Sequence, residues 1–271
     1  MIFVVGESAK EIEAKLQAAL NKLEDWLDEN KLKMNANKTK YMIIRNNRKQ
    51  LSREIRVNTR KGNELERVTI MKYLGVILDE HLTFKEHCDY ILKKVGKKTS
   101  FLNRIGNHIS AYTRCLVYKT IIAPHFEYCA TIMINMGKTE LEKLQKAQNR
   151  AMRTILQVNR YTRIRDMLVA LSFMSIKERL EFNVSVFMYK LVNGMVPNEL
   201  SSGLELVGDR MGVRTRQAEN IKIDFRKTTS AQHSLMYAGV KMYNDLPDKV
   251  KSAADLFNFK KDIKEYILGK R

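Results

Sequence analysis

Residues 72–105 read KYLGVILDEHLTFKEHCDYILKKVGKKTSFLNRI, and the run changes character partway along. Residues 72–79, KYLGVILD, are rich in β-formers and predict a strand. Gly75 falls inside that strand, where a glycine marks a bulge or a close approach of backbone. From residue 84 the apolar side chains return at helical spacing. Cys88, Leu92, Val95, Leu102 and Ile105 share one face, and Lys93, Lys97 and Arg104 lie opposite. Thr83 and Glu86 have the spacing of a capping box, in which a hydroxyl and a carboxylate satisfy the free amides at a helix start. A strand that runs into a long helix with a basic outer face predicts an α+β chain, mainly α beyond this point.

Towards the N-terminus the pattern is mixed. Residues 2–5 and 41–44 predict short strands. Between them Ser8 and Glu11 form a second capping-box pair, followed by Ile12, Leu16, Leu20, Leu23 and Leu27 at helical spacing. That amphipathic helix runs to about residue 29 and ends in an Asn/Lys-rich turn over residues 35–40. Residues 46–67 are polar, with weak strand signals at 55–57.

Towards the C-terminus the pattern is helical. Helices are expected near 84–107, 110–122, 124–136, 139–157 and 175–193. Thr139/Glu142 and Ser175/Glu178 repeat the capping form, and Pro124 suits a first helical turn. On the 139–157 helix Leu141, Leu144, Met152 and Ile155 share a face opposed by Lys146, Arg150 and Arg153. Gly194, Pro197, Gly203 and Gly208 make residues 193–209 a linker. A short strand at 221–225 and helices at 231–244 and 254–268 close the chain. Only 12 Gly and 3 Pro in 271 residues favour long helices.

Lys and Arg total 49 against 30 acids, a net charge of +19. Folding does not need that excess, and self-repulsion makes it mildly costly. The usual reason is a polyanionic partner, above all nucleic acid. The plain alternative is a soluble basic protein with Lys-rich solvated helix faces. Three cysteines form no disulfide framework and fit a reducing compartment. No signal peptide is visible, and no apolar run approaches the ~20 residues of a membrane span. An intracellular protein, nuclear or cytoplasmic and not secreted, is expected.

Chemical motifs mostly fail their tests. Gly137-Lys138-Thr139 resembles the end of a phosphate-binding loop, but Ile132 stands where that loop needs its first glycine. His81, His87 and Cys88, and separately His125 and Cys129, match no compact zinc spacing. Asp-Asp does not occur. Asp79-Glu80 has no second acidic cluster tied to it, so no metal-dependent centre is expected.

The run WLDENKLKMNANKTKYMIIR (26–45) closely resembles the C-terminal portion of reverse transcriptases from non-LTR (LINE-type, jockey-like) retrotransposons. So do YLGVILDEHLTFKEHCDYILKKVGKKTSFLNRI (73–105), YKTIIAPHFEYCATIM (118–133) and LEKLQKAQNRAMRTIL (141–156). The tail AGVKMYNDLPDKVKSAADLFNFKKDIKEYIL (238–268) resembles the segment that closes many such reading frames. The ordered series is more specific than any one motif.

The resemblance implies a small antiparallel palm-remnant sheet, then a helical thumb bundle and a helical C-terminal extension. It divides the chain into 1–80, palm remnant; 81–193, thumb; and 194–271, linker and extension. In that family a Tyr-Ala-Asp-Asp hairpin binds the catalytic Mg2+ ions. The resemblance places Met1-Ile2-Phe3-Val4 just after that tetrapeptide, so this chain would bind no metal and would be inactive alone. Residues 35–40 resemble the mobile palm loop called motif D. Lys38, with Lys40 second, would act there as general acid towards pyrophosphate or attract its charge. Tyr73, Leu74 and Gly75 resemble the primer grip, a tight hairpin at the primer's 3′ end. Lys40, Lys93, Lys97, Arg104, Lys146, Arg150 and Arg153 would hold a template–primer duplex of RNA and DNA through its phosphates. The alternatives are a co-opted, non-specific nucleic-acid-binding protein and an inactive translated remnant.

Overall fold

The computed structural model describes residues 1–46, 52–201, 204–205 and 220–270. The chain divides into two compact units, Met1–Thr83 and Phe84–Arg271.

In the first unit helix α1 (Ala9–Glu29) starts where its cap predicts. Ser8 is extended, and its hydroxyl accepts the Glu11 N–H. The Glu11 carboxylate reaches one residue beyond the box to the Glu7 N–H, at 2.9 Å, and also pairs with Lys15. The Lys15 hydrogen bond and these amides hold the Glu11 carboxyl below its ordinary range. The helix lays Ala9 and Leu20 on a small core with Tyr41, Ile43, Ile55, Val57 and Leu65. Strand β1 (Lys40–Tyr41) pairs in parallel with β2 (Glu66–Arg67). The Tyr41 hydroxyl donates to the Ile55 carbonyl across this core. Residues 2–5 are irregular, with Phe3 and Val5 exposed; an apolar run without a partner strand does not hold strand form.

The opening stretch differs from expectation at two points. Residues 72–79 are not one strand. They belong to a hairpin of β3 (Ile70–Tyr73) and β4 (Val76–Asp79). Leu74 and Gly75 form its two-residue turn, with φ of 44° and 87°. A turn with both central φ positive suits the twist of paired strands, so Gly75 marks a reversal and not a bulge. Nor does Thr83 form a capping box with Glu86. Asp79 captures it first, accepting the N–H groups of His81 and Thr83 on one oxygen and the Thr83 hydroxyl on the other. Helix α2 (Lys85–Ile105) starts instead behind Phe84, whose φ is 58°.

The second unit is helical. α2 and α5 (Lys138–Leu156) lie against each other, burying Cys88, Val95 and Leu102 from one and Leu144, Met152 and Ile155 from the other. Helix α7 (Ile176–Val192) opens with the complete Ser175/Glu178 capping box that its spacing predicts. It packs on α5 and on the last helix, with Tyr189 stacked on Phe259 at 4.2 Å.

Other boundaries shift. Gly137, not Thr139, precedes α5. Residues 110–122 form α3 (Ala111–Val117) and a wide π-type turn, Tyr118–Ile122. Residues 124–136 break at Cys129, φ 52°, into α4 (Pro124–Glu127) and a 3₁₀ turn, Ala130–Asn135. Helix α6 (Ile164–Leu171), absent from the expected helices, follows α5, with Ile164, Met167, Leu168 and Leu171 at helical spacing. Within 193–209, α8 (Asn198–Ser201) forms, while residues 202–203 and 206–209 lie outside the described residues.

Residues 222–225 make no strand; the neighbouring Ile221 is buried, its peptide group held on both sides by the Asn244 amide. Residues 231–244 divide into α9 (Thr229–Gln232), a π-type turn at Leu235–Gly239 and α10 (Val240–Asn244). Beyond Pro247 come α11 (Asp248–Lys251) and α12 (Leu256–Gly269), the latter capped by Asp255. The α+β, mainly α class holds.

Candidate nucleic-acid interface

In the second unit the apolar faces of α2 and α5 turn inward, which leaves their cations outside. Lys93, Lys97 and Arg104 follow one exposed stripe of α2, and Lys146 and Arg150 are exposed on α5. Arg153 is half-buried. The C-terminal ends of the two helices enclose a concavity of about 380 Å³. Asn103 and Asn107 line one side, and Arg150, Arg153, Thr154 and Gln157 the other. Gln157 donates to the Asn107 side chain at 2.8 Å, pinning the two ends together. The Arg153 Nε is shielded from solvent and has no hydrogen-bond partner among the described residues. A desolvated donor without an acceptor is costly. The structure thus brings Arg150 and Arg153 to one hollow. Lys93, Lys97, Arg104 and Lys146 lie on open helix surface outside its lining.

A residue the sequence reading missed ties together the helix ends beside this hollow. Arg114 is 8% exposed, and its guanidinium donates to three backbone carbonyls. The acceptors are Ile155 at 2.7 Å, Gly106 at 2.7 Å and Ile109 at 2.8 Å. It therefore ties the last turn of α5 to the end of α2, and a cation at two helix C-termini meets their negative dipole ends. The signal was available: Arg114, Tyr118 and Ile122 recur four residues apart, which puts an arginine on an apolar face.

The first unit places the other candidates on turns. Asn35 caps the short 3₁₀ turn Ala36–Lys38 by accepting the Lys38 N–H, and the Lys38 side chain is exposed. Lys40 is engaged: its ammonium lies 2.8 Å from Glu66, joining β1 to β2. Tyr73 and Leu74 are exposed at the hairpin tip beside Gly75, Leu74 by 74%.

Among the described residues, the acids do not gather into a site for the magnesium ions that the resemblance implies. Glu80 faces Arg67, Arg45 and His81, and Asp79 is turned into the Thr83 turn. Asp25 and Asp28 face Arg60. Among the described residues no group of three or more His, Cys, Asp or Glu could hold a metal ion. Among them, too, no helix is long and apolar enough to cross a membrane.

A basic helical pair with a guanidinium-lined hollow suits a protein that handles polyanions, and the curated proteins that this chain resembles are polymerases of mobile elements. It is similar to the RNA-directed DNA polymerase from mobile element jockey of Drosophila funebris, 25% identical over 221 residues, 80% of this chain and 23% of that protein. The jockey polymerase of Drosophila melanogaster is 27% identical over 192 residues, 70% of this chain and 20% of that one. A probable polymerase from transposon X-element of the same fly is 31% identical over 87 residues, 31% of this chain and 10% of that one. The resemblance to a region of a LINE-type, non-LTR retrotransposon reverse transcriptase therefore stands. The chain spans about a fifth of the length of the jockey relatives. No family model matches it, and no solved structure does.

Proposed function

We propose that this chain forms the end of the palm (1–80), the thumb (81–193) and the C-terminal extension (194–271) of such a reverse transcriptase. Its part in the reaction is to hold an RNA–DNA template–primer. The observation that carries this reading is the α2–α5 pair, whose outward faces carry the cations and whose C-terminal ends line a hollow with Arg150 and Arg153. Helix faces of this kind hold a duplex through its phosphates with little preference for sequence. In the first unit Lys38 is the candidate for a cation near the leaving pyrophosphate, since Lys40 is tied to Glu66. Tyr73, Leu74 and Gly75 offer an exposed hairpin tip of the form a primer grip needs. The metal-binding aspartates would come from sequence outside this chain. An intracellular site of action, nuclear or cytoplasmic, follows from the same reading.

The test is binding of an RNA–DNA duplex across a salt series. Each phosphate contact contributes about 0.9 to the slope of log K against log salt. Replacing Lys93, Lys97, Arg150 and Arg153 together by Ala should lower the slope by about 3.6. An unchanged slope would remove the α2–α5 face from the interface.

A further inference from the structure

The segment after α5 carries a feature that duplex binding does not use. Residues 157–165 read QVNRYTRIR, and they continue the chain directly from the lip of the hollow, where Gln157 and Val158 line it. Tyr161 is 76% exposed. The Arg160 guanidinium lies over its ring at 4.9 Å, and an Arg160 nitrogen donates to the Tyr161 hydroxyl at 2.7 Å. Asn159 sets the turn beneath: its side-chain oxygen accepts the Tyr161 N–H at 2.9 Å. The ring is therefore held by a capped turn and backed by a cation on one face. At that exposure its other face is left to solvent. It contributes little to the core, so folding does not account for it.

We propose that Tyr161, backed by Arg160, is a stacking platform for an unpaired base, whose phosphate is taken by Arg150 and Arg153 in the adjoining hollow. The ligand class is single-stranded nucleic acid, or the unpaired nucleotide at the end of a duplex. An aromatic face accepts any base, and a cation behind it strengthens the stack. Phosphate capture beside it fixes the strand without reading sequence. A bare duplex keeps its bases stacked on one another, so the platform discriminates in favour of a strand with a free base. This proposal rests on the reading of the second unit as a nucleic-acid-binding thumb and adds strand preference to it.

The experiment uses the full chain and two probes of equal length, a single strand with a 2-aminopurine and a blunt RNA–DNA duplex. Tyr161→Ala should weaken single-strand binding about tenfold and abolish the 2-aminopurine fluorescence change, since the base loses its stacking partner. Duplex binding should stay within about twofold. Tyr161→Phe should keep both the affinity and the fluorescence change, because stacking needs the ring and not the hydroxyl. Single-strand affinity unchanged in Tyr161→Ala overturns the platform and leaves the thumb reading standing. Equal losses for both probes overturn it as well, because the residue then serves the fold or the interface in general. Failure of the parent chain to bind either probe overturns both readings.

Discussion

The two units bury their apolar side chains on different terms. In Met1–Thr83 one helix rests on short strands through Ala9, Leu20, Tyr41, Ile43, Ile55, Val57 and Leu65. Long loops are clipped to that helix at the surface, Arg53 to Glu13 and Arg60 to Asp25, by ion pairs exposed enough to contribute little. In Phe84–Arg271 long helices enclose Leu102, Ile122, Leu144, Met152, Met167, Met188, Phe259 and Ile263, each less than 2% exposed. The candidate groups differ accordingly. Lys38 and Leu74 sit on turns at the edge of a thin core, whereas Arg150 and Arg153 stand on a helix whose other face is fully packed. The second unit therefore presents a preorganised surface, and the first presents adjustable tips.

This contrast is open to measurement because each unit has its own reporter. Trp26 is the chain's single tryptophan and lies in α1, about half exposed. Cys88 lies in α2, fully buried. Burial, with Asp89 beside it, pushes its thiol up to about 11, so alkylation of Cys88 requires the second unit to open.

The largest effect is expected from Arg114→Ala. Three carbonyls at the ends of α2 and α5 lose their donor in a site closed to water, and each hydrogen bond to a charged group is worth about 1.5–3 kcal/mol. A loss of roughly 3 kcal/mol or more is expected in the second unit. Cys88 alkylation should accelerate strongly, while Trp26 fluorescence keeps its transition. Arg150 and Arg153 should also weaken as ligands, since the concavity they line includes Gly106, a carbonyl held by Arg114. A variant with unchanged alkylation would mean that water replaces the guanidinium and that the hollow does not depend on it.

Arg114 also shows where sequence reading reaches its limit. Helices with two distinct faces were legible, and so the exposed stripe of Lys93, Lys97 and Arg104 could be placed before any coordinates. The full capping box at Ser175 was legible for the same reason, as both partners are local. What failed depended on competition or on distance. Asp79 takes Thr83 from its expected cap, and nothing in a spacing rule weighs two local acceptors. Spacing alone hid the hairpin turn, because Leu74, a poor turn residue, stands beside Gly75 where Asn or Asp would signal it; only the primer-grip resemblance implied a hairpin there. The hollow joins residue 103 to residue 157, and only packing reveals such a pair.

Acidification should separate the units next, by less than the Arg114 change. His87, in α2, is 3% exposed, and burial lowers its pKa from 6.5. Burial, then Lys98 and Lys94, lowers His125 in the same direction. For such rings the unfolded chain binds protons that the folded unit refuses. Stability that is complete above pH 6.5 is therefore lost as pH falls from there towards the depressed folded values. Cys88 alkylation, followed at pH 7.5 after brief incubation at pH 5.5 or 7.5, should report more opening at the lower pH. His87→Gln should reduce the difference. No reduction would place the acid sensitivity elsewhere in the unit.

The smallest effect should run in the opposite direction. Leu74 holds φ of 44° at the hairpin tip, three-quarters exposed, so its side chain strains the backbone and contributes little burial. Leu74→Gly removes the strain but raises the entropy of the unfolded chain; a stabilisation of about 0.5 kcal/mol is expected from the balance. Gly75, φ 87°, is the internal control, and Gly75→Ala should destabilise by about 1 kcal/mol. Trp26 fluorescence in a urea titration reads both, since the hairpin and α1 belong to the same unit. If Leu74→Gly destabilises as Gly75→Ala does, the leucine contributes to the first unit's stability. If it stabilises, an exposed and strained leucine is kept at the tip for something other than folding, as a hairpin meeting a primer end would require.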